Sequence, residues 1–220
     1  VLDKGDLIGV ITDGDIRRAL LKCFSENITS FVLLSLLLGT NLFYYATTEP
    51  CMSHAYTFSL TGVLLYYTPT WLNKFSLKSA IFFGLFSGLL VLMRPTNLII
   101  LCMILMYGIQ TRENIKNRLL WLLRNKKLLL ISFLLGFMVL FPQLLYWKTI
   151  TGDWVFNSYV GEYFYFNKPN IIEFLFSYRK GWLLYTPIMC FFILGIYNLF
   201  KTKNPWALYS LFTLIVTIYL

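Results

Sequence analysis

Leu128-Leu129-Leu130-Ile131-Ser132-Phe133-Leu134-Leu135-Gly136-Phe137-Met138-Val139-Leu140-Phe141-Pro142-Gln143-Leu144-Leu145-Tyr146-Trp147 is the stretch that decides the fold. It carries no charged side chain, and a helix of about 20 apolar residues is what the hydrocarbon core of a bilayer requires. Lys126 and Lys127 stand before it and Lys148 after it. Pro142 predicts a kink near its exit. Other apolar runs flank it: 28–46, 55–71, 79–93 and 98–107 before, 183–200 and 206–220 after. Together these runs predict an all-α integral membrane protein of about seven transmembrane helices, occupying residues 23–220.

Composition points the same way. Hydrophobic residues make up 58% of the 220 and charged residues only 13%, against roughly 25% charged in an average soluble domain. The mean hydropathy is +0.66. Aromatic residues reach 19%, as expected where Trp and Tyr gather at the two membrane interfaces. The net charge of +9 does not predict a nucleic-acid partner. The cations fall between apolar runs rather than on one face of a polar fold. Cys23, Cys51, Cys102 and Cys190 form no CxxC pair, so neither a disulfide framework nor a zinc site is predicted. Cys102 and Cys190 lie inside apolar runs and are expected to be buried. No apolar leader with a small-residue cleavage site opens the sequence, so insertion is expected to rely on the helices themselves.

The charges orient the spans. If loops alternate sides, one side receives Lys74, Lys78, the basic segment 110–127, Lys201 and Lys203. The other receives Glu49, Arg94, Lys148, Asp153, Glu162, Lys168, Glu173, Arg179 and Lys180, which nearly balance. The positive-inside rule assigns the first set to the cytoplasm and the second to the outside. Leu119, Leu120, Trp121, Leu122 and Leu123 among the cations of 110–127 predict an amphipathic helix on the membrane surface. Gly84 and Gly88 have the GxxxG spacing of a close helix–helix contact.

Residues 1–22 differ in kind. Leu7-Ile8-Gly9-Val10-Ile11-Thr12 reads as a short buried strand. Asp13-Gly14-Asp15 reads as a turn, and Asp15 as the cap of a helix starting at Ile16. The run Gly9-Val10-Ile11-Thr12-Asp13-Gly14-Asp15-Ile16-Arg17-Arg18-Ala19-Leu20 resembles the last strand and helix of a CBS domain. That resemblance implies adenine-nucleotide contacts at Thr12 and Asp15. A strand and one helix cannot bury a core alone, so a remnant joined near Lys22-Cys23 is the expectation.

The outward loops hold the candidate chemistry. Glu49 and His54, the only histidine, stand in one short loop, with Pro50 fixing the backbone between them. A carboxylate there can take the proton of an attacking hydroxyl, or merely cap a helix. His54 can bind phosphate when protonated or hydrogen-bond the carboxylate, and one histidine is not a metal site. Arg94, before Pro95-Thr96-Asn97, suits a phosphate at headgroup depth or simple snorkelling. Tyr178-Arg179-Lys180-Gly181-Trp182 sets two cations among aromatic rings, which suits a sugar phosphate or an interfacial aromatic belt.

Several runs resemble bacterial membrane glycosyltransferases of the GT-C type, in the protein-mannosyltransferase and lipid A aminoarabinose-transferase group. They are Glu49-Pro50-Cys51-Met52-Ser53-His54, Leu92-Met93-Arg94-Pro95-Thr96-Asn97, Phe141-Pro142-Gln143-Leu144-Leu145-Tyr146-Trp147, Thr151-Gly152-Asp153-Trp154 and 176–187. The resemblance spans roughly residues 28–220. It implies an inverting enzyme of the bacterial inner (plasma) membrane whose site faces outward. Its donor is a polyprenyl-phosphate-linked sugar and its acceptor a hydroxyl of a lipid, glycan or protein; membrane lipids are the remaining partners. Glu49 is then the catalytic candidate, and His54, Arg94, Tyr178, Arg179 and Lys180 the donor and phosphate ligands. The resemblance leaves a divalent cation open and implies no other cofactor. The family's essential acid lies in the first outer loop, where this sequence carries the CBS-like segment. A partial enzyme is therefore expected, with Glu49 in a supporting place in a later loop. A transporter or flippase of a lipid-linked glycan, and an inactive fusion, remain alternative readings.

Overall fold

The computed structural model describes residues 2–3, 6–7, 26–155, 169–178 and 181–219. The chain is mostly helical. At the N-terminus two short strands, β1 (Leu2–Asp3) and β2 (Asp6–Leu7), pair antiparallel. The predicted strand 7–12 meets β2 only at Leu7. The rest of that strand, the helix from Ile16, Thr12, Asp15 and the join at Lys22-Cys23 lie outside the described residues.

The helices follow in order: α1 (Glu26–Gly39), α2 (Leu42–Thr47), α3 (Ser53–Asn73), α4 (Leu77–Met93), a 3-10 turn at Pro95–Asn97 and α5 (Leu98–Ile104). Next come α6 (Arg112–Arg124), α7 (Lys126–Thr151), α8 (Ile171–Phe176) and α9 (Trp182–Tyr185). A second 3-10 turn at Pro187–Met189 leads into α10 (Cys190–Lys201), and α11 (Ala207–Tyr219) closes the series.

Seven full spans do not emerge. Among the described residues one helix, α7, is both long and apolar enough to cross a membrane. The reasons are local. The run 28–46 is divided by Thr40-Asn41, where the Thr40 hydroxyl donates to Leu36 O at 2.6 Å and accepts from Leu42 N at 3.3 Å. A hydroxyl that competes for backbone partners in this way ends one helix and starts another. The run 183–200 is broken by Thr186-Pro187, since the residue before a proline is driven out of the helical region. α3 is long at 21 residues, but its Ser, Thr, Tyr and Pro side chains dilute its apolar character.

α7 runs through Pro142 and Lys148 to Thr151, and Gly152 ends it at φ 82°. A left-handed residue of this kind is the usual helix stop, and glycine takes it without strain. Only 11% of its apolar stretch is buried inside the fold, whereas a soluble core helix would hide most of its surface.

α3 and α4 are antiparallel neighbours joined by Lys74–Ser76. Ser76 and Ser79 form a capping box that fixes the start of α4, satisfying backbone donors that would otherwise be orphaned. α4 and α7 pack in parallel, and at very close range. A Cβ on Gly84 would lie 2.5 Å from Ser132 O, and one on Gly88 2.7 Å from Gly136 O. The Ser132 hydroxyl donates to Ala80 O at 2.8 Å across the same contact. The GxxxG spacing therefore serves the packing expected of it. The core joins Leu64, Trp71 and Leu72 of α3 to Phe83 and Leu90 of α4, Met103 and Ile104 of α5 and Tyr209 of α11. Cys102 and Cys190 are exposed, not buried as expected. On α5 the core face is the one carrying Met103 and Ile104, and Cys102 turns away from it.

This packing gives the helix set two ends. At one lie Lys74, Lys78, α6 and the α10–α11 turn. Gly108 N donates to Pro205 O at 2.9 Å, and Gln110 Nε2 donates to Lys203 O. Trp121 of α6 meets Trp71 edge-on at 5.4 Å. At the other lie the start of α3 and the end of α4. The loops assigned by charge to one side thus gather at one end.

Candidate functional site

The antiparallel α3–α4 pair makes the site. Because α4 returns along α3, residues 94–97 arrive beside residues 49–57. Thr48 N and Glu49 N both fold back on Tyr44 O, at 2.8 and 3.2 Å, and Met52 N donates to Glu49 O at 3.1 Å. This tight reversal between α2 and α3 sets Glu49 half-buried among exposed neighbours. Its carboxylate accepts from the Tyr44 hydroxyl, with Oη and Oε1 2.8 Å apart. A hydrogen bond to an ionised acceptor is short and directional, so the carboxylate is oriented rather than free to swing.

His54 occupies the first turn of α3. Its ring lies 4.3 Å from that of Tyr45, tilted by 31°. Partial burial and, next, the Arg94 guanidinium lower the affinity of the imidazole for a proton; Glu49 opposes them. His54 is therefore neutral near pH 7. Of the two roles the sequence leaves open for His54, phosphate binding when protonated and a hydrogen bond to the carboxylate, the lowered proton affinity favours the neutral imidazole, which can accept a hydrogen bond or a proton. It also places Glu49 and Arg94 each within electrostatic reach of His54.

Arg94 ends α4 in an extended conformation, with its N–H on Leu90 O at 3.4 Å and its carbonyl accepting from Asn97 N at 3.0 Å. Asn97 is the residue whose role sequence reasoning missed. Its side chain is only 6% exposed, and Nδ2 donates to Leu90 O at 2.9 Å and to Thr57 Oγ1 at 3.4 Å. One amide thus ties the last turn of α4 to the first turns of α3 and holds Arg94 beside His54. A polar residue next to Arg94 was visible in the sequence; its partner Thr57, forty residues away, was not.

The remaining candidates belong to a different segment. Tyr178 is 75% exposed, and its carbonyl accepts from the Tyr185 hydroxyl. The helices around it, α8 and α9, pack on each other, on α11 and on the turn at Pro187–Met189. Arg179 and Lys180 lie outside the described residues. Among the described residues no three His, Cys, Asp or Glu side chains converge as a metal site. In comparisons with protein-family models, curated proteins and solved structures, nothing matches this chain.

Proposed function

We propose that this chain is the membrane-embedded part of a GT-C-type glycosyltransferase. It moves a sugar from a polyprenyl-phosphate donor to a hydroxyl on the outer face of a bacterial plasma membrane. α7 is its clearest span. The observation that carries the reading is the meeting of Glu49, His54 and Arg94 at one end of the α3–α4 pair, opposite the end where the cations of α6 gather.

The chemistry follows from the charges. The acceptor hydroxyl attacks the anomeric carbon from the side opposite the phosphate, and the carbon–oxygen bond to phosphate breaks as the new glycosidic bond forms. Glu49, oriented by Tyr44, takes the hydroxyl proton, with neutral His54 as an adjoining acceptor. The phosphate leaves with the bonding electron pair, and Arg94 stabilises the charge that develops on it. Tyr178, Arg179 and Lys180 are the further donor ligands that the resemblance implies, in a later outer segment of the sequence. Any divalent cation would act on the same phosphate.

The test is sugar transfer by the full chain in proteoliposomes supplied with a radiolabelled polyprenyl-phosphate sugar and a hydroxyl acceptor lipid. Glu49→Gln should lower turnover by about 10²-fold or more, the range of a lost general base, with donor binding retained. Donor binding without transfer by the wild-type protein would overturn the enzyme reading in favour of transport. Equal turnover by Glu49→Gln would remove Glu49 from the chemistry.

A further inference from the structure

The opposite end of the molecule holds a second polar site, built around Arg118. Gly108, Asn114, Asn117, Arg118 and Trp121 line a cleft of about 240 Å³ between α6 and the loop that precedes it. Thr111 caps α6 by accepting from Asn114 N at 3.3 Å, and Asn114 Nδ2 donates to Gly108 O at 2.9 Å. The wall of the cleft is therefore held by hydrogen bonds at both sides of the helix start.

Arg118 is the unusual element. It is the cation of α6 that turns inward: Arg112, Lys116 and Arg124 are exposed, while Arg118 is half-buried. Its Nη2 donates to Tyr107 O at 2.6 Å, and its guanidinium carbon stands 5.8 Å from the centre of the Trp121 ring. Its Nε is buried with no hydrogen-bond partner. Burial alone accounts for the lowered proton affinity of the group; among the described residues no carboxylate compensates it. A partly desolvated guanidinium without a counter-ion costs free energy that an anion would offset, and its planar fork matches phosphate oxygens.

The helix that carries the cleft is also built to rest where phosphate is plentiful. Ile115, Leu119 and Leu123 share one face of α6 at helical spacing and are 48%, 57% and 68% exposed. With cations beside this stripe, α6 has the build of a helix resting in the headgroup layer. It leads directly into α7, and basic residues next to a span attract anionic lipids.

We propose that the Arg118 cleft binds a phosphate-bearing anion, the headgroup of an anionic phospholipid. The Arg118 guanidinium grips the phosphate, and Asn114 and Asn117 contribute amide donors from the rim. Apolar residues of α6 hold the acyl chains. The site is independent of the proposed glycosyl transfer, lying at the other end of the helix set.

Titration calorimetry of the full chain in neutral detergent tests it, with short-chain phosphatidylglycerol, short-chain phosphatidylcholine and inorganic phosphate as separate probes. Phosphatidylglycerol should bind at one saturable site and be displaced by inorganic phosphate, with phosphatidylcholine weaker by about tenfold, the cost of roughly 1.4 kcal/mol. Binding of inorganic phosphate as tight as that of the lipid would keep the site but assign it a soluble ligand. Arg118→Gln should abolish the site even in about 1 M salt, where exposed charges are screened; Lys116→Gln should then bind like the wild type. Asn117→Asp, at an exposed position, supplies a carboxylate to the cleft and should also abolish binding, which covers failure of Arg118→Gln to fold. Wild-type affinity in Asn117→Asp or in a folded Arg118→Gln, or equal affinity for the two lipids, would overturn the proposal.

Discussion

Gly84→Ala tests whether the α4–α7 contact holds the site together. The new Cβ would fall 2.5 Å from Ser132 O, 2.8 Å from Ser132 Cα and 3.0 Å from Ser132 C, all backbone atoms. Ordinary contact begins near 3.4 Å, so the helices must part by about 0.9 Å locally. No side-chain rotation can relieve the clash. Overpacking of this kind costs about 1–3 kcal/mol. Separation also stretches the Ser132–Ala80 hydrogen bond, adding roughly 0.6 kcal/mol as such bonds are valued between membrane helices. The expected loss is thus about 2–4 kcal/mol, reduced by at most about 1 kcal/mol from the better helix propensity of alanine.

Gly62→Ala is the matched control. It lies within α3 with nothing within 4 Å of the added Cβ, so it should gain about 0.5–1 kcal/mol. Reversible unfolding of the purified protein in mixed detergent micelles measures both. Because α4 ends at Arg94, Gly84→Ala should also perturb the His54 environment, whereas Gly62→Ala should leave it unchanged. Equal stabilities for the two variants would refute the close helix contact and the positioning argument built on it.

The single histidine makes the site directly readable by NMR titration. Arg94→Gln should raise the His54 pKa and Glu49→Gln should lower it, because each removes the stated influence of its charge; an unmoved pKa in both would separate the three residues. Since the folded pKa lies below the ordinary 6.5, the unfolded chain binds the extra proton first. Stability contributed at His54 is complete above about pH 6.5 and falls as pH drops through the folded pKa; His54→Gln should remove that part of the slope, seen as a flatter melting profile between neutral and acidic pH. Asn97→Leu removes the amide's bonds to Leu90 O and Thr57 Oγ1 and loosens α4 from α3, with an expected cost of about 1–3 kcal/mol for the two bonds. It should also move the His54 resonance, and a stable variant with an unchanged His54 signal would exclude a positioning role for Asn97.

Much of the local structure was legible in the sequence. The apolar run around Phe137, the break at Arg94-Pro95 and the amphipathic helix at 112–124 each follow from short-range signals: hydropathy, proline geometry and helical spacing. Gly84 and Gly88 announced a close contact but not its partner; only the packing identifies Ser132 and Gly136. The count of full spans was overestimated, because hydropathy averages over Thr40-Asn41 and Thr186-Pro187, where single residues interrupt the backbone hydrogen-bond ladder. The exposed Cys102 and Cys190 show the same limit, since an apolar run does not say which face meets the core.

The candidate residues divide in the same way. Glu49, His54 and Arg94 stand out by chemistry, as a carboxylate, the lone imidazole and a cation at the ends of apolar runs. Residue type and local spacing were determined by the sequence alone. Their convergence, the neutral state of His54 and the part played by Asn97 were decided by the antiparallel return of α4 along α3. So was the inward turn of Arg118, one cation among several on the same helix. A side chain's charge belongs to its covalent structure, but the desolvation and neighbouring charges that set its behaviour come from residues brought close only in three dimensions.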